Sequence, residues 1–130
     1  MSIWDNILKI KEEIGDEAKL VAVSKTRSTK EINDAYNSGQ KIFGENRVQE
    51  IVEKQKLLPD DIEWHMIGHL QKNKVKYISS FISLIHSLDR ISLAKEIDKY
   101  AKKSNRKIDC LIQIKISSEE SPQELASANF

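Results

Sequence analysis

The sequence is poor in the residues on which several classes of protein depend. Its 130 residues contain one cysteine, Cys110, and four glycines, at positions 15, 39, 44 and 68. A single cysteine excludes an internal disulfide and is typical of proteins in a reducing cytoplasm. Glycines this far apart form no glycine-rich phosphate loop. Aromatic residues make up 6% of the chain, too few for a nucleic-acid surface that stacks bases on rings.

Neither charge nor long apolar runs are in excess. The 21 basic and 20 acidic residues give a formal net charge of +1, so no strong field attracts nucleic acid or a membrane surface. No apolar run is long enough to span a bilayer. The amino-terminal MSIWDNILKI carries Asp5 within its apolar stretch and has no small-residue cleavage site. We therefore expect a soluble cytoplasmic protein with a single domain, residues 1–130.

Short apolar runs alternate with amphipathic helical patterns along the whole chain. The runs predicted as strands are LVAV (20–23), KIF (41–43), WHMI (64–67), LIH (84–86) and CLIQIKI (110–116). Their spacing, roughly 20 to 25 residues per strand and helix, is typical of βαβ units and indicates a parallel sheet. The all-apolar LVAV predicts a first strand that is buried on both faces.

Several residues predict where helices begin and end. Ser28 and Glu31 have the spacing of a capping box, and Gly15 and Gly39 are placed to end helices. Asn46 can cap the helix that contains Val48, Ile51 and Val52, and Asp89 can cap the one that contains Leu93, Ile97, Tyr100 and Ala101.

The end of the chain predicts an incomplete barrel. Ser121, Pro122 and Glu124 look like a helix start, yet the sequence ends at Phe130. Five parallel strands cannot close an eight-stranded barrel. We therefore expect the front part of a longer protein, with open sheet edges through which the chain dimerises or aggregates.

Polar side chains lie at or just after the ends of the predicted strands. They are Lys25, Asn46, His69, Ser87, Asp89, Ser117 and Ser118. The carboxyl edge of a parallel sheet is where α/β folds bind ligands, although asparagine, aspartate and serine there also serve simply as N-caps. Lys25 is either an ordinary solvated lysine or, if desolvated, a nucleophile toward carbonyl groups. The second role is what a Schiff base with a substrate ketone or with pyridoxal phosphate requires.

Five segments, taken in order, closely resemble the YggS/PROSC family of pyridoxal-phosphate-binding proteins. They are AVSKTRSTKEI, IFGENRVQE, EWHMIGHLQKNKVK, LIHSLDR and LIQIKISSEES. The resemblance implies a TIM-type (β/α) barrel of the alanine racemase N-terminal-domain type, here with about five parallel strands. It implies that Lys25 forms the internal aldimine with pyridoxal 5'-phosphate, and that Asn46, His69 and Ser87 surround the cofactor ring.

The same resemblance implies a role in pyridoxal-phosphate homeostasis, with release of the cofactor to enzymes that depend on it and without efficient turnover. Two departures stand out. Lys115 occupies a position where relatives usually have asparagine, and the family's phosphate cradle and ring-nitrogen arginine would follow Ser121. We therefore expect weak cofactor binding.

Two alternatives remain beside this interpretation. A racemase-like enzyme needs a second acid–base group, but Tyr36, Tyr77 and Tyr100 all fall in predicted helices. For a zinc site, His65 and His69 have i, i+4 spacing, but this spacing separates side chains along a strand. We expect no metal, and interpret His65 and His86 as core histidines with hydrogen-bonded rings.

Overall fold

The computed structural model describes residues 2–114 and residue 116. The helices are α1 (Ile3–Ile14), α2 (Thr29–Asn37), α3 (Val48–Leu57), α4 (Val75–Ile78) and α5 (Ile91–Lys103). The strands are β1 (Ala22–Val23), β2 (Ile42–Glu45), β3 (Glu63–Met66), β4 (Leu84–Leu88) and β5 (Asp109–Ile112). A 3₁₀ turn at Lys72–Lys74 leads into α4. The predicted alternation of strands and helices is confirmed.

The strands form one parallel sheet in the order β1-β2-β3-β4-β5. Each strand pairs with the next along the chain, and Phe43 lies between Ala22 on one side and Trp64 on the other. A crossover helix separates successive parallel strands, as this connection requires. The described strands make an open five-stranded sheet of the TIM-barrel type, as predicted.

One side of the sheet, which we call the helix face, holds the core. Phe43, Trp64 and Met66 are almost fully buried there, together with Ile85 and the apolar sides of the helices. The opposite side, which we call the open face, includes Val23, Gly44, His65 and Leu84, which occupy one register row. Val23 is 53% exposed. The prediction that LVAV is buried on both faces is therefore wrong, because no described segment covers this face of β1.

The helix boundaries confirm some of the capping predictions and correct others. Ser28 and Glu31 form the predicted capping box of α2. Gly15 follows α1 with a φ of 68°, a left-handed conformation that glycine adopts without strain. However, α3 is preceded by Arg47 and α5 by Arg90, neither with a side-chain cap. The predictions that Asn46 and Asp89 are N-caps are wrong.

Some predictions concern residues outside the described part of the chain. Lys115, Ser117, Ser118 and the proposed helix start at Ser121, Pro122 and Glu124 all lie there. Within the described residues, β5 ends at Ile112, earlier than the predicted run to 116. None of the described helices combines the length and apolar character that a membrane crossing demands.

Candidate functional site

Lys25 lies in the turn that follows β1, at the carboxyl edge of the sheet, and its side chain is exposed. The N–H of Ser24 donates to the Gly44 carbonyl at 3.0 Å, and the N–H of Arg27 donates to the Ser24 carbonyl at 3.0 Å. Thr26 has a φ of 62°, a left-handed conformation that costs a β-branched residue energy. The turn is thus well defined, but the described residues do not enclose Lys25 in the apolar surroundings that desolvation requires.

Asn46 lies directly after β2, half-buried, at the same edge of the sheet. Gly68, in the loop after β3, packs against its backbone. A Cβ placed on Gly68 would lie 2.8 Å from the carbonyl oxygen of Asn46 and 3.0 Å from its Cα. Only glycine fits such an approach, so the carboxyl ends of β2 and β3 are held close together beside Asn46.

His69 lies in the loop after β3, exposed, and lines an open cleft. The other lining residues are Gln71, Lys72, Asn73, Arg90 and Glu96. The guanidinium of Arg90 donates to the Leu70 carbonyl and to Asp89, both at 2.6 Å. Since Leu70 follows His69 in the same loop, the hydrogen bond from Arg90 holds that loop in place.

Ser87 lies within β4, since this strand continues to Leu88 and does not end at His86. The prediction that Ser87 follows the strand is therefore wrong. The strand is longer because Leu88 pairs with Ile112 and its carbonyl accepts the N–H of Gln113 at 2.8 Å. Ser87 is 2% exposed, and its Oγ has no hydrogen-bond partner in the described part of the chain.

The structure thus brings Lys25, Asn46 and His69 to one edge of the sheet, with Ser87 buried in the strand below that edge. Among the described residues, no hydrogen bond joins any two of these four side chains. They are neighbours by topology, as expected from the carboxyl ends of parallel strands.

A buried ionic cluster, which the sequence analysis missed, lies beside the Lys25 turn. Lys54 Nζ donates to Glu45 Oε2 at 2.9 Å, to Glu50 Oε2 at 3.1 Å and to the Ser24 carbonyl at 2.8 Å. Ser24 Oγ also donates to Glu45 Oε2. We call Ser24, Glu45, Glu50 and Lys54 the ionic cluster. One signal could have revealed it: Lys54 falls three residues after Ile51, on the apolar stripe of α3.

Burial and hydrogen bonding act in opposite directions on the two carboxyl groups of this cluster. Glu45 is fully buried, and this burial raises its pKa against the opposing effects of Ser24 and Lys54. The pKa of Glu50 is lowered, first by the N–H of Thr26 and then by Lys54. Glu45 Oε1 has no hydrogen-bond partner within the described residues, so the cluster depends strongly on the Lys54 ammonium.

His65 and His86 form a second polar pair, and their predicted hydrogen-bonded rings are confirmed. The Nδ1 of His65 lies 3.0 Å from the Nε2 of His86. Burial lowers the pKa of His65 from 6.5 to about 4, with His86 and Lys19 adding to the effect, and burial also lowers the pKa of His86. One neutral ring donates to the other in this arrangement. No cluster of three or more potential metal ligands occurs among residues 2–114 and 116.

Comparison with known proteins agrees with the fold and with the resemblance. Residues 1–120 match the family described as "Alanine racemase, N-terminal domain". A pyridoxal phosphate homeostasis protein of Aquifex aeolicus is 52% identical over 104 residues, covering 79% of this chain and 46% of the relative. A protein of the same name from Pasteurella multocida is 38% identical over 136 aligned positions, covering 93% and 58%. The chain thus spans about half the length of these relatives.

The solved structure of PipY from Synechococcus elongatus, with pyridoxal phosphate bound, superposes on this chain with a TM-score of 0.85. The two are 34% identical, and the match covers 95% of this chain and 60% of PipY. A structure of PipY without the cofactor gives a TM-score of 0.84 at 36% identity. The chain belongs to the alanine racemase N-terminal-domain family, and its resemblance to the YggS/PROSC proteins within that family is confirmed.

Proposed function

We propose that this chain binds pyridoxal 5'-phosphate and takes part in pyridoxal-phosphate homeostasis, with the amine of Lys25 as the point of covalent attachment. The relatives named above support the cofactor and the role. The observation that carries the assignment of Lys25 is its position. It is an exposed lysine on a fixed turn at the carboxyl edge of a parallel sheet, where this class of fold binds ligands.

The residues present fit this cofactor at two further points. Gly68 packs against the backbone of Asn46 with no room for a side chain between them, which fixes Asn46 at the carboxyl edge of the sheet. Ser87 has a buried hydroxyl that lacks a partner among the described atoms, and a buried hydroxyl ordinarily has one. When bound, the cofactor supplies an aldehyde, which condenses with an amine and releases one water, and an electron-withdrawing ring.

In this proposal each residue has a distinct task. Lys25 Nζ acts as the nucleophile toward the aldehyde carbon. Asn46 and His69 would contact the ring at the edge of the sheet, and the Ser87 hydroxyl would offer it a hydrogen bond. The brace from Arg90 to the Leu70 carbonyl keeps the His69 loop in place.

A racemase-like activity has less support from the described residues. Such an enzyme needs a second acid–base group facing the cofactor. Tyr36, Tyr77 and Tyr100 lie within α2, α4 and α5, as predicted, and none follows a strand. The proposal is therefore a binding and release function, with pyridoxal-phosphate-dependent enzymes as recipients. We place it in the cytoplasm, where a free thiol such as that of Cys110 is stable.

Borohydride reduction in the presence of pyridoxal phosphate, followed by peptide mass spectrometry, tests the attachment site. We expect the reduced adduct on Lys25, and its loss in Lys25→Ala with no change in the circular dichroism spectrum. Lys30→Ala is the matched control, since Lys30 is also exposed and lies five residues away. An adduct found only on Lys30, Lys54 or Lys72 would contradict the assignment.

We further propose that two copies of this chain associate through the sheet edges. Among the described residues β1 pairs only with β2, and β5 only with β4, where Leu111 and Ile112 are 50% and 58% exposed. Such edges pair readily with other strands. Sedimentation velocity over a concentration series should show a dimer that Ile112→Lys weakens and that Ile10→Lys, an exposed site on α1, leaves unchanged. A monomer at every concentration would refute the association.

A further inference from the structure

The residues on both sides of Lys25, Ser24 and Thr26, form backbone hydrogen bonds to side chains of α3. On one side, the carbonyl of Ser24 accepts a hydrogen bond from Lys54 Nζ at 2.8 Å. On the other side, the N–H of Thr26 donates to Glu50 Oε2 at 3.2 Å. Lys25 is the residue between these two ties, and its own side chain remains exposed.

Both ties converge on one ammonium group. Lys54, which is 8% exposed, donates to Ser24 directly and also to Glu50 Oε2 at 3.1 Å, the same oxygen that accepts Thr26. Its third bond, to Glu45 Oε2 at 2.9 Å, anchors the ammonium to β2. The conformation of the turn, with Thr26 at a φ of 62°, is one that the surrounding structure must hold in place.

We propose that Lys54 is a positioning residue for Lys25: it fixes the backbone on both sides of that lysine and so sets the direction from which the amine approaches an aldehyde. This inference rests on the proposed function, in which Lys25 is the attachment point. Lys54 does not touch the ligand in this arrangement. It acts through Ser24 and, by way of Glu50, through Thr26.

The geometry favours positioning over a role in stability alone. Buried ion pairs are often no more stabilising than apolar residues of the same size. A stabilising ion pair would need only the bond from Lys54 to Glu45. Lys54 also donates to the backbone of Ser24 and to the Glu50 carboxylate that accepts the N–H of Thr26. Reaction rates are sensitive to displacements of about 1 Å in reacting groups.

The variant Lys54→Met tests this proposal, because methionine keeps the apolar stem and removes the ammonium. Lys56→Met, at an exposed position of the same helix, is the matched control. The probe is pyridoxal phosphate, and the readout is the rate of adduct formation on Lys25 relative to Lys30, measured by quenching with borohydride at intervals. We expect Lys54→Met to lower this ratio roughly tenfold and Lys56→Met to leave it unchanged.

Three further experiments separate positioning from a loss of folding. Hydrogen exchange at the Thr26 amide should accelerate in Lys54→Met and in Glu50→Ala, because Glu50 supplies its acceptor. Glu50 is only half-buried, so Glu50→Ala retains the fold even if Lys54→Met unfolds, and we expect it to lower the Lys25 to Lys30 ratio about threefold. Lys54→Arg, which keeps the charge and donors, should recover part of the rate.

The outcomes distinguish this inference from the proposed function. If the unmodified protein forms no adduct on Lys25, the proposed function and this inference both fail. If it does, and Lys25 reacts at the same relative rate in every folded variant of Lys54→Met and Glu50→Ala, only the positioning role of Lys54 is overturned. A slower Lys25 with unchanged Lys30 in either folded variant supports it.

Discussion

The helix face and the open face of the same sheet have different physical characters. On the helix face, Phe43, Trp64 and Met66 are at most 2% exposed and pack against helices. Leu111 also lies on the open face, because it is two residues after Asp109, the partner of Leu84. On this face Val23 and Leu111 are about half exposed, and His65 pairs with His86. The comparison shows that the described sheet buries large apolar side chains on one side, whereas the other side leaves apolar side chains half exposed around a histidine pair.

The largest expected effect comes from truncating a ring on the helix face. Trp64 is 2% exposed and packs against Phe43, with ring centroids 6.0 Å apart. Trp64→Ala should lower the free energy of unfolding by about 3–5 kcal/mol. Leu111→Ala, on the open face, should lower it by less than about 1 kcal/mol, since half of that side chain is already in water. Equilibrium denaturation in urea measures both, and similar losses would show that the two faces do not differ as described.

A smaller effect should appear when the pH is lowered. The pKa of His65 is about 4 in the folded protein and 6.5 ordinarily, so the unfolded chain binds the proton more readily. Stability should be complete above about pH 6.5 and be lost as the pH falls toward about 4, by about 1–3 kcal/mol. Urea denaturation across this range measures the loss. In His65→Phe the dependence should flatten, and an unchanged slope in that variant would assign it to other groups.

The smallest effect is the difference in stability, about 1 kcal/mol, between alanine variants of two glycines near the carboxyl edge. A Cβ on Gly68 would meet the backbone of Asn46 at 2.8 Å, whereas on Gly44 it would meet side-chain atoms of Ile67 and Val21 at 3.1 Å. Backbone cannot yield as side chains can, so Gly68→Ala should cost about 2 kcal/mol and Gly44→Ala about 1 kcal/mol or less. Thermal unfolding of both variants checks the order. A larger loss in Gly44→Ala would mean that the side chains of Ile67 and Val21 yield less than the backbone of Asn46.

Much of this fold could be predicted from the sequence, because its signals are local. Apolar runs, the Ser28 and Glu31 capping box and Gly15 each act within a few residues. The errors concern two helix caps, the exposed face of β1 and the ends of strands. Whether β4 stops at His86 or continues to Leu88 depends on its pairing with β5, more than twenty residues away.

Only part of the candidate site could be predicted from the sequence, namely the part that follows from local signals and strand order. The placement of Lys25, Asn46 and His69 at one edge follows from the topology of parallel strands. The ionic cluster does not, because nothing in the sequence specifies that Lys54 reaches Ser24 across thirty positions. Its only trace is a lysine on the apolar stripe of a helix, a pattern that also occurs when the stem packs and the amine reaches water.

The strand order has a consequence for synthesis on the ribosome. Because each strand pairs with the one before it, every new strand and helix finds its docking surface already made when it leaves the exit tunnel. Chains whose neighbours in space are neighbours in sequence pay little loop-closure entropy and form contacts early. The nascent protein can therefore grow in one direction, unit by unit, from β1 to β5. The Lys25 turn would acquire its final conformation as soon as α3 had emerged and brought Lys54 to it.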